Sequence, residues 1–330
     1  MNSSKNIAKR VNELIDKYSN SPKSVQYLLC DQYPPNKIAY KIINENMEEY
    51  NLSYGELKTQ STLIANGLKK RGIKRGDRIA TLMGKSKEYI ITLLAIWRIG
   101  AVHVPLFTAF SPPAITLRVN GSNSKIVFCD QKQQSKLKPS DDFVPQSKLD
   151  VITTASFEQT PNWADRWEDL LDMNAPIDEE AGLDPDAAII HIFTSGTTGE
   201  PKGVSLPVKA LACIEAYAEF AYDLRQTDIF WNAADPGWAY GLYCGILATL
   251  TTGTPAILFE GGFSAQATMD IIEKHRVTNF AAAPTVYRSL RADRVVLSAR
   301  HKLRCLSSAG EPLTPEINEW AQSFFGLSVH

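Results

Sequence analysis

The sequence is as informative for what it lacks as for what it contains. Its five cysteines, Cys30, Cys129, Cys213, Cys244 and Cys305, are scattered over 330 residues without a C-x-x-C pair. An odd, widely spaced set excludes a disulfide framework and a cysteine-rich zinc site. It points to reduced thiols in a cytoplasmic protein, most of them packed as small hydrophobes. Neither charge sign is in excess: 35 basic and 36 acidic side chains leave a formal net charge of −1. No basic field is available to attract nucleic acid or an acidic membrane surface. There is no internal repeat, no low-complexity tract, no H-E-x-x-H pair and no Ser-His-Asp spacing, so no metal site or nucleophilic triad is assigned. His103 and His191 fall inside apolar strands and read as neutral, hydrogen-bonded imidazoles, while His275 and His301 read as surface positions.

Long apolar runs are also missing, with one apparent exception. Ala239–Phe259 holds 21 residues without a charge, which is the length of a membrane span. Thr251-Thr252-Gly253-Thr254-Pro255 divides it into a helix-sized piece and a strand-sized piece, so a buried pair is expected instead. The N-terminus carries no apolar leader. Ile7, Val11, Leu14 and Ile15 give Ile7–Tyr18 the stripe of an amphipathic helix.

What is present is the composition of a globular protein, 44% hydrophobic and 22% charged, with a length suited to two domains or one of two lobes. Lys37–Ile43 reads as an edge strand and Ser53–Arg71 as a helix, with Ser53 and Glu56 spaced as a capping box and Gly72 as its stop. A β-α-β-α-β series follows over Arg78–Met83, Glu88–Ile99, Val102–Leu106, Pro112–Val119 and Ser124–Asp130. Alternation of this kind implies a parallel sheet covered by helices. Gln131–Asp186 is polar and reads as surface loops crossing between lobes. Beyond residue 207, helices and strands alternate again, with Ser264 and Thr314 as N-caps.

The chain is organised around Ala187–Leu206, AAIIHIFTSGTTGEPKGVSL. An apolar strand leads into four hydroxyls (Thr194, Ser195, Thr197, Thr198), three glycines (Gly196, Gly199, Gly203) and one cation, Lys202, with Val204–Leu206 as the return strand of a hairpin. Glycines let backbone N–H groups converge, hydroxyls add short donors, and lysine adds charge on a flexible stem; together these suit a phosphate chain. Composition alone leaves an ordinary turn open. The P-loop pattern fails here, because Pro201 stands where a glycine must precede the lysine, and Gly84-Lys85-Ser86 fails because Ile79 occupies its first glycine position.

The string Thr194–Val204, TSGTTGEPKGV, resembles the phosphate-binding signature of AMP-forming, adenylate-forming enzymes: acyl-CoA synthetases, luciferases and peptide-synthetase adenylation domains. The stretch GDRIATLMGKSKEYIITLLAIWRIGAVHVPL is similar to the first core motif of the same family. Asp235, Gly237, Trp238 and Gly241 match the D-x-G-W-x-x-G segment that lines the acyl pocket of the acetyl-CoA-synthetase-like branch. Ala239-Tyr240 replaces the Val-Thr usual in acetate enzymes, so a short or medium acyl chain is expected rather than acetate. On residues alone that stretch reads first as a tight Asp-Pro-Gly turn with Trp238 in the core. Gly310-Glu311-Pro312 resembles the family's adenine-holding turn, although unaided it is only a turn with a solvated Glu311. Ala283-Pro284-Thr285 is similar to a further pocket-lining turn.

The resemblance implies an α/β fold, the large N-terminal domain of adenylate-forming enzymes, made of two helix-flanked β-sheet lobes packed together. The expected organisation is an N-terminal helix over 1–20, a first lobe over about 21–186 and a second, carrying the phosphate loop, over about 187–330. It implies ATP, Mg²⁺ and CoA as cofactors and a small carboxylate as substrate in fatty acid metabolism, with Thr194, Ser195, Gly196, Thr197, Thr198, Gly199 and Lys202 on the phosphates and Thr198 and Lys202 as the catalytic pair. Gly310, Glu311 and Pro312 then take the adenine, and Asp235, Gly237, Trp238, Ala239 and Gly241 the acyl group. A Y-G-x-T-E segment, a ribose-binding Asp and a mobile C-terminal domain with a catalytic Lys are absent from the sequence, so a truncated and poorly active portion is expected. A non-catalytic nucleotide- or acyl-binding module, an adenylation domain loading a carrier protein, and a homodimer all stay open; the D-P-G-W and Leu258–Gly261 segments favour the CoA-ligase branch.

Overall fold

The fold was analysed in a computed structural model that describes residues 2–171, 182, 184–194, 201–296 and 301–330, with side chains from residue 6 onward. Its strands are β1 (Ile38–Ile43), β2 (Glu49–Ser53), β3 (Arg78–Leu82), β4 (Val102–Pro105), β5 (Ile126–Cys129), β6 (Asp150–Thr153), β7 (Asp165–Arg166), β8 (Ala188–Thr194), β9 (Lys202–Pro207), β10 (Phe230–Asn232), β11 (Ala256–Phe259), β12 (Asn279–Ala281) and β13 (Cys305–Ser307). The α-helices are α1 (Asn2–Ser19), α2 (Tyr54–Lys70), α3 (Lys87–Arg98), α4 (Pro112–Ser122), α5 (Leu211–Phe220), α6 (Ala248–Thr252), α7 (Ala265–Lys274), α8 (Pro284–Ala292) and α9 (Pro315–Phe325). The chain forms two compact units that interleave along the sequence: residues 1–36, 54–212 and 236–238, and residues 37–53, 213–235 and 239–330.

The first unit is built on a seven-stranded sheet in the order β7-β6-β5-β3-β4-β8-β9. All neighbours pair parallel except β8 with β9. Its central strands are buried and mostly apolar, because helices must cover both faces of a parallel sheet. Ala80, Leu82, Val104, Leu106, Ile115, Val119 and Val127 pack as one buried cluster. Helix α3 starts on Ser86, whose hydroxyl accepts from the Tyr89 amide at 3.1 Å. Helix α2 stops where Gly72 takes φ +80°, as expected of that glycine. The polar stretch after residue 130 departs from expectation: it contributes β6 and β7 and a 3₁₀ turn, Gln131–Leu137, with Leu137 buried. His103 is fully buried, its Nε2 is 2.8 Å from Thr81 Oγ1, and burial holds its pKa at about 3, so the ring is neutral, as expected.

The second unit carries a six-stranded sheet, β13-β12-β10-β11-β1-β2. Here β1 is not an edge strand. It pairs parallel to β11 and antiparallel to β2, and β2, whose first three residues are exposed, is the edge. The charge-free stretch forms a π-helical run, Tyr240–Leu247, continued by α6 and then β11. No helix among the described residues is long and apolar enough to cross a membrane. Ser264 caps α7, accepting from the Ala267 amide at 3.3 Å, whereas Thr314 makes no side-chain cap bond ahead of Pro315. His275, expected at the surface, is buried at the C-terminal end of α7, with Nε2 3.8 Å from Glu49 Oε1.

Candidate functional site

The hairpin expected around the hydroxyl- and glycine-rich stretch is present. β8 and β9 pair antiparallel from Ala188↔Pro207 to Thr194↔Lys202. They complete the first sheet through the β4–β8 pair, so the hairpin belongs with the earlier strands rather than with those beyond residue 212. Ser195, Gly196, Thr197, Thr198 and Gly199 lie outside the described residues. Thr194 and Lys202 face each other across the open end of the ladder, and both are exposed. Lys202 makes no ion pair with a described residue.

The next pair of the ladder, Phe193↔Gly203, shows why position 203 is glycine. A Cβ there would lie 2.3 Å from His191 Nε2, because the imidazole folds over it from the facing strand. The ring is fixed by Ser205, whose hydroxyl is 3.2 Å from Nδ1, and by Phe193 at 5.1 Å between centroids. Burial, with the Arg78 charge second, holds the His191 pKa below the usual histidine value, so a neutral ring packs there.

The 235–241 segment is divided between the units. Pro236, Gly237 and Trp238 belong to the first, where the Tyr89 hydroxyl donates to the Pro236 carbonyl at 3.3 Å. A Cβ on Gly237 would lie 2.3 Å from the Leu106 carbonyl oxygen and 2.6 Å from Phe107 Cα. This glycine is there for backbone approach. Trp238 is 52% exposed, with its ring 5.2 Å from that of Phe107, so it is not core. Asp235, Ala239 and Gly241 belong to the second unit, and Gly241 is buried in the π-helical run.

In the second unit, β13 leads through Ala309 into Gly310, which adopts φ +94°, a region that L side chains rarely enter. Glu311 is clamped rather than free in solvent. Its Oε1 accepts from the Thr285 hydroxyl at 2.5 Å and its Oε2 from Arg288 at 2.5 Å, and these bonds hold its carboxyl below the usual range. The 283–285 turn is thus brought to the 310–312 turn by α8, whose first two turns carry Thr285 and Arg288. A carboxylate has about four acceptor positions, so Glu311 keeps capacity for a further donor.

The same unit holds a cavity of about 300 Å³ that pattern reading missed. Cys213, Ile214 and Tyr217 of α5, then Tyr222, line one side; Tyr240, Tyr243, Cys244 and Ala248 line another, and Ala309 closes it one residue before Gly310. None of Asp235, Gly237, Trp238, Ala239 or Gly241 is in that lining. Tyr240, Tyr243 and Cys244 of the π-helical run and Ala248 of α6 supply that part of the lining instead. Burial raises the Tyr243 hydroxyl pKa to about 12 and raises those of Tyr240 and Cys244, so the lining is neutral. Among the described residues no group of three or more His, Cys, Asp or Glu side chains could hold a metal ion.

A family profile described as AMP-binding enzyme matches residues 29–330. The chain is 32% identical over 317 residues to an acetyl-coenzyme A synthetase of Pseudoalteromonas translucida, covering 89% of this chain and 49% of that protein. It is 34% identical over 314 residues to that of Chlorobaculum tepidum, covering 88% and 47%. The chain thus spans about half the length of the curated relatives it matches. Among solved structures it is similar to the Brucella canis acyl-CoA synthetase, with a TM-score of 0.86 and 36% identity over 97% of this chain and 59% of that one.

Proposed function

The chain belongs to the AMP-binding enzyme family, and from that premise we propose that it is the nucleotide- and acid-binding part of a ligase that activates a short- or medium-chain carboxylate with ATP. The acid attacks the α-phosphorus to give acyl-AMP and pyrophosphate, and the CoA thiol then displaces AMP. The first step asks for alignment and charge neutralisation rather than covalent work by the protein.

The observation that carries the reading is the Thr194↔Lys202 pair. It pins both ends of the Ser195–Pro201 stretch at one point, with a hydroxyl and an ammonium exposed there. Thr194, Ser195, Gly196, Thr197, Thr198, Gly199 and Lys202 are assigned to the phosphates, Thr198 and Lys202 acting on the reacting group. Gly310, Glu311 and Pro312 are assigned to the purine. The open φ of Gly310 and the clamped Glu311 support a preformed turn there. The acid's tail is assigned to the tyrosine-lined cavity, which ends one residue from that turn. No described side chains form a metal-holding group, so no residue is assigned to Mg²⁺ and no step is derived through it. CoA likewise receives no residue. The five unpaired cysteines support a reducing, cytoplasmic setting.

Thr198→Ala with Lys202→Ala is the test. Each charge-assisted contact contributes about 1.5–3 kcal/mol, so acid-dependent ATP–pyrophosphate exchange by the intact protein falls at least about tenfold. Unchanged exchange removes the stretch from the mechanism.

A further inference from the structure

The cavity of the second unit presents carbon and sulfur to whatever fills it. No residue of its lining is charged, and none has an amide side chain. The hydroxyl oxygens of Tyr240 and Tyr243 are buried away from the space, so these residues offer it their ring carbons. Burial raises the Cys244 thiol pKa and leaves a neutral sulfur on the wall, and Cys213 adds a second. Tyr217, Tyr222, Tyr240 and Tyr243 bring four aromatic rings to this one lining. Tyr217 and Tyr222 already meet edge to face, 5.2 Å apart at 77°. Behind the wall Tyr222 continues to Phe230 at 6.1 Å and 68°. At such spacings and tilts the positive edge of one ring is attracted to the negative face of the next. The rings of Tyr240 and Tyr243 have no aromatic partner among the described residues, although both line the cavity. The aromatic array thus stops at the empty volume with two rings unmatched.

We propose that this cavity takes a carboxylic acid whose tail ends in a phenyl ring, packed against the tyrosine rings. The inference rests on the ligase reading for the carboxyl end alone; the tail's chemistry follows from the cavity. A dry apolar cavity of about 150 Å³ is enough to hold benzene. About 300 Å³ therefore admits one ring and roughly as much chain again, the size of a nine-carbon aryl acid. Exposed Cys213 and Tyr217 mark the solvent side of the lining, and Ala309 the side of the Gly310 turn. A saturated tail of equal carbon number is at least as apolar, so burial alone gives the phenyl acid no advantage. Only an aromatic tail adds edge-to-face or offset contacts with Tyr240 and Tyr243, and sulfur contacts at its edge.

The test compares three nine-carbon acids, 3-phenylpropanoate, 3-cyclohexylpropanoate and nonanoate, by calorimetry without nucleotide. It uses the wild-type chain and the double variant Tyr240→Leu/Tyr243→Leu. The variant keeps the lining apolar and breaks no hydrogen bond of either hydroxyl among the described residues. Circular dichroism checks its fold, and Tyr217→Leu, at an exposed position, replaces it if it does not fold. The wild type binds 3-phenylpropanoate about three- to tenfold more tightly than either saturated acid, as one or two aromatic contacts allow. In the variant that preference narrows to about twofold or less, while nonanoate binds about as before. Equal or tighter binding of either saturated acid by the wild type overturns the proposal. So does a phenyl preference undiminished in the variant, or no binding of any of the three acids. Acid-dependent pyrophosphate exchange by the intact protein is scored separately. A phenyl preference in binding with no exchange retains this inference and sinks the ligase reading, and exchange without a phenyl preference in binding does the reverse.

Discussion

Replacing Gly237 by alanine separates a steric role from a chemical one at a position that motif reading assigns to the acyl group. The added methyl carbon would lie 2.3 Å from the Leu106 carbonyl oxygen, 2.6 Å from its carbon and 2.6 Å from Phe107 Cα. All three are backbone atoms at the end of β4, so no side-chain rotation relieves the overlap. One segment must move by about 1 Å to reach ordinary contact, and overpacking of this kind costs about 1–3 kcal/mol. The strain falls on a unit of about 200 residues. At ~2–4 °C per kcal/mol for that size, a 2 kcal/mol cost lowers its Tm by about 4–8 °C. Differential scanning calorimetry without ligand reads the shift directly. Gly262→Ala is the control, because nothing lies within 4 Å of a Cβ there and its φ is not in the left-handed region. That variant is neutral or slightly stabilised through the unfolded chain. Equal melting of Gly237→Ala and the wild type refutes the packing argument and returns Gly237 to a purely ligand-facing role.

Two further outcomes follow from one ion-pair cluster in each unit. Asp31 is almost fully buried, with both carboxylate oxygens on Arg98 at 2.5 and 2.9 Å and Arg98 Nε on Ser61 at 2.7 Å; Arg98→Met therefore destabilises by about 3–5 kcal/mol, less whatever Lys58 at 3.7 Å recovers, and adding Asp31→Leu restores most of it in urea unfolding. Lys274 and then Lys41 hold the Glu49 carboxyl at about 2, so its pairing stabilises fully above the ordinary carboxylate range and is lost as pH falls from about 4.5 towards 2; Glu49→Gln flattens that acid limb by about 1 kcal/mol after solvent screening, and an unchanged limb rejects the pairing.

The parts of the fold that were legible in sequence are those where burial leaves a period. Residues 79–82, 102–105 and 126–129 read as strands because a parallel sheet covered on both faces admits little but apolar residues. The hairpin was legible because strand, glycine cluster and return strand are contiguous. Glu49–Ser53 was not, since an edge strand exposed to solvent carries no apolar signal, and its presence turns β1 from an edge into an interior strand. His275 reads as a surface residue among polar neighbours, and only the packing of α7's end buries it. The cavity was hidden for another reason. Its lining comes from residues 213–222, 240–248 and 309, and the π-helical run turns Tyr240 and Tyr243 inward in a way that a 3.6-residue period does not express.

The central claim, that the hairpin's open end holds the phosphate chain, is tested most directly by titrating ATP and adenosine separately into the wild-type chain and the Thr198→Ala/Lys202→Ala variant. The account predicts that ATP affinity falls at least about tenfold while adenosine affinity is unchanged, because only the phosphates meet these side chains. Loss of both affinities in equal measure, or of neither, contradicts it.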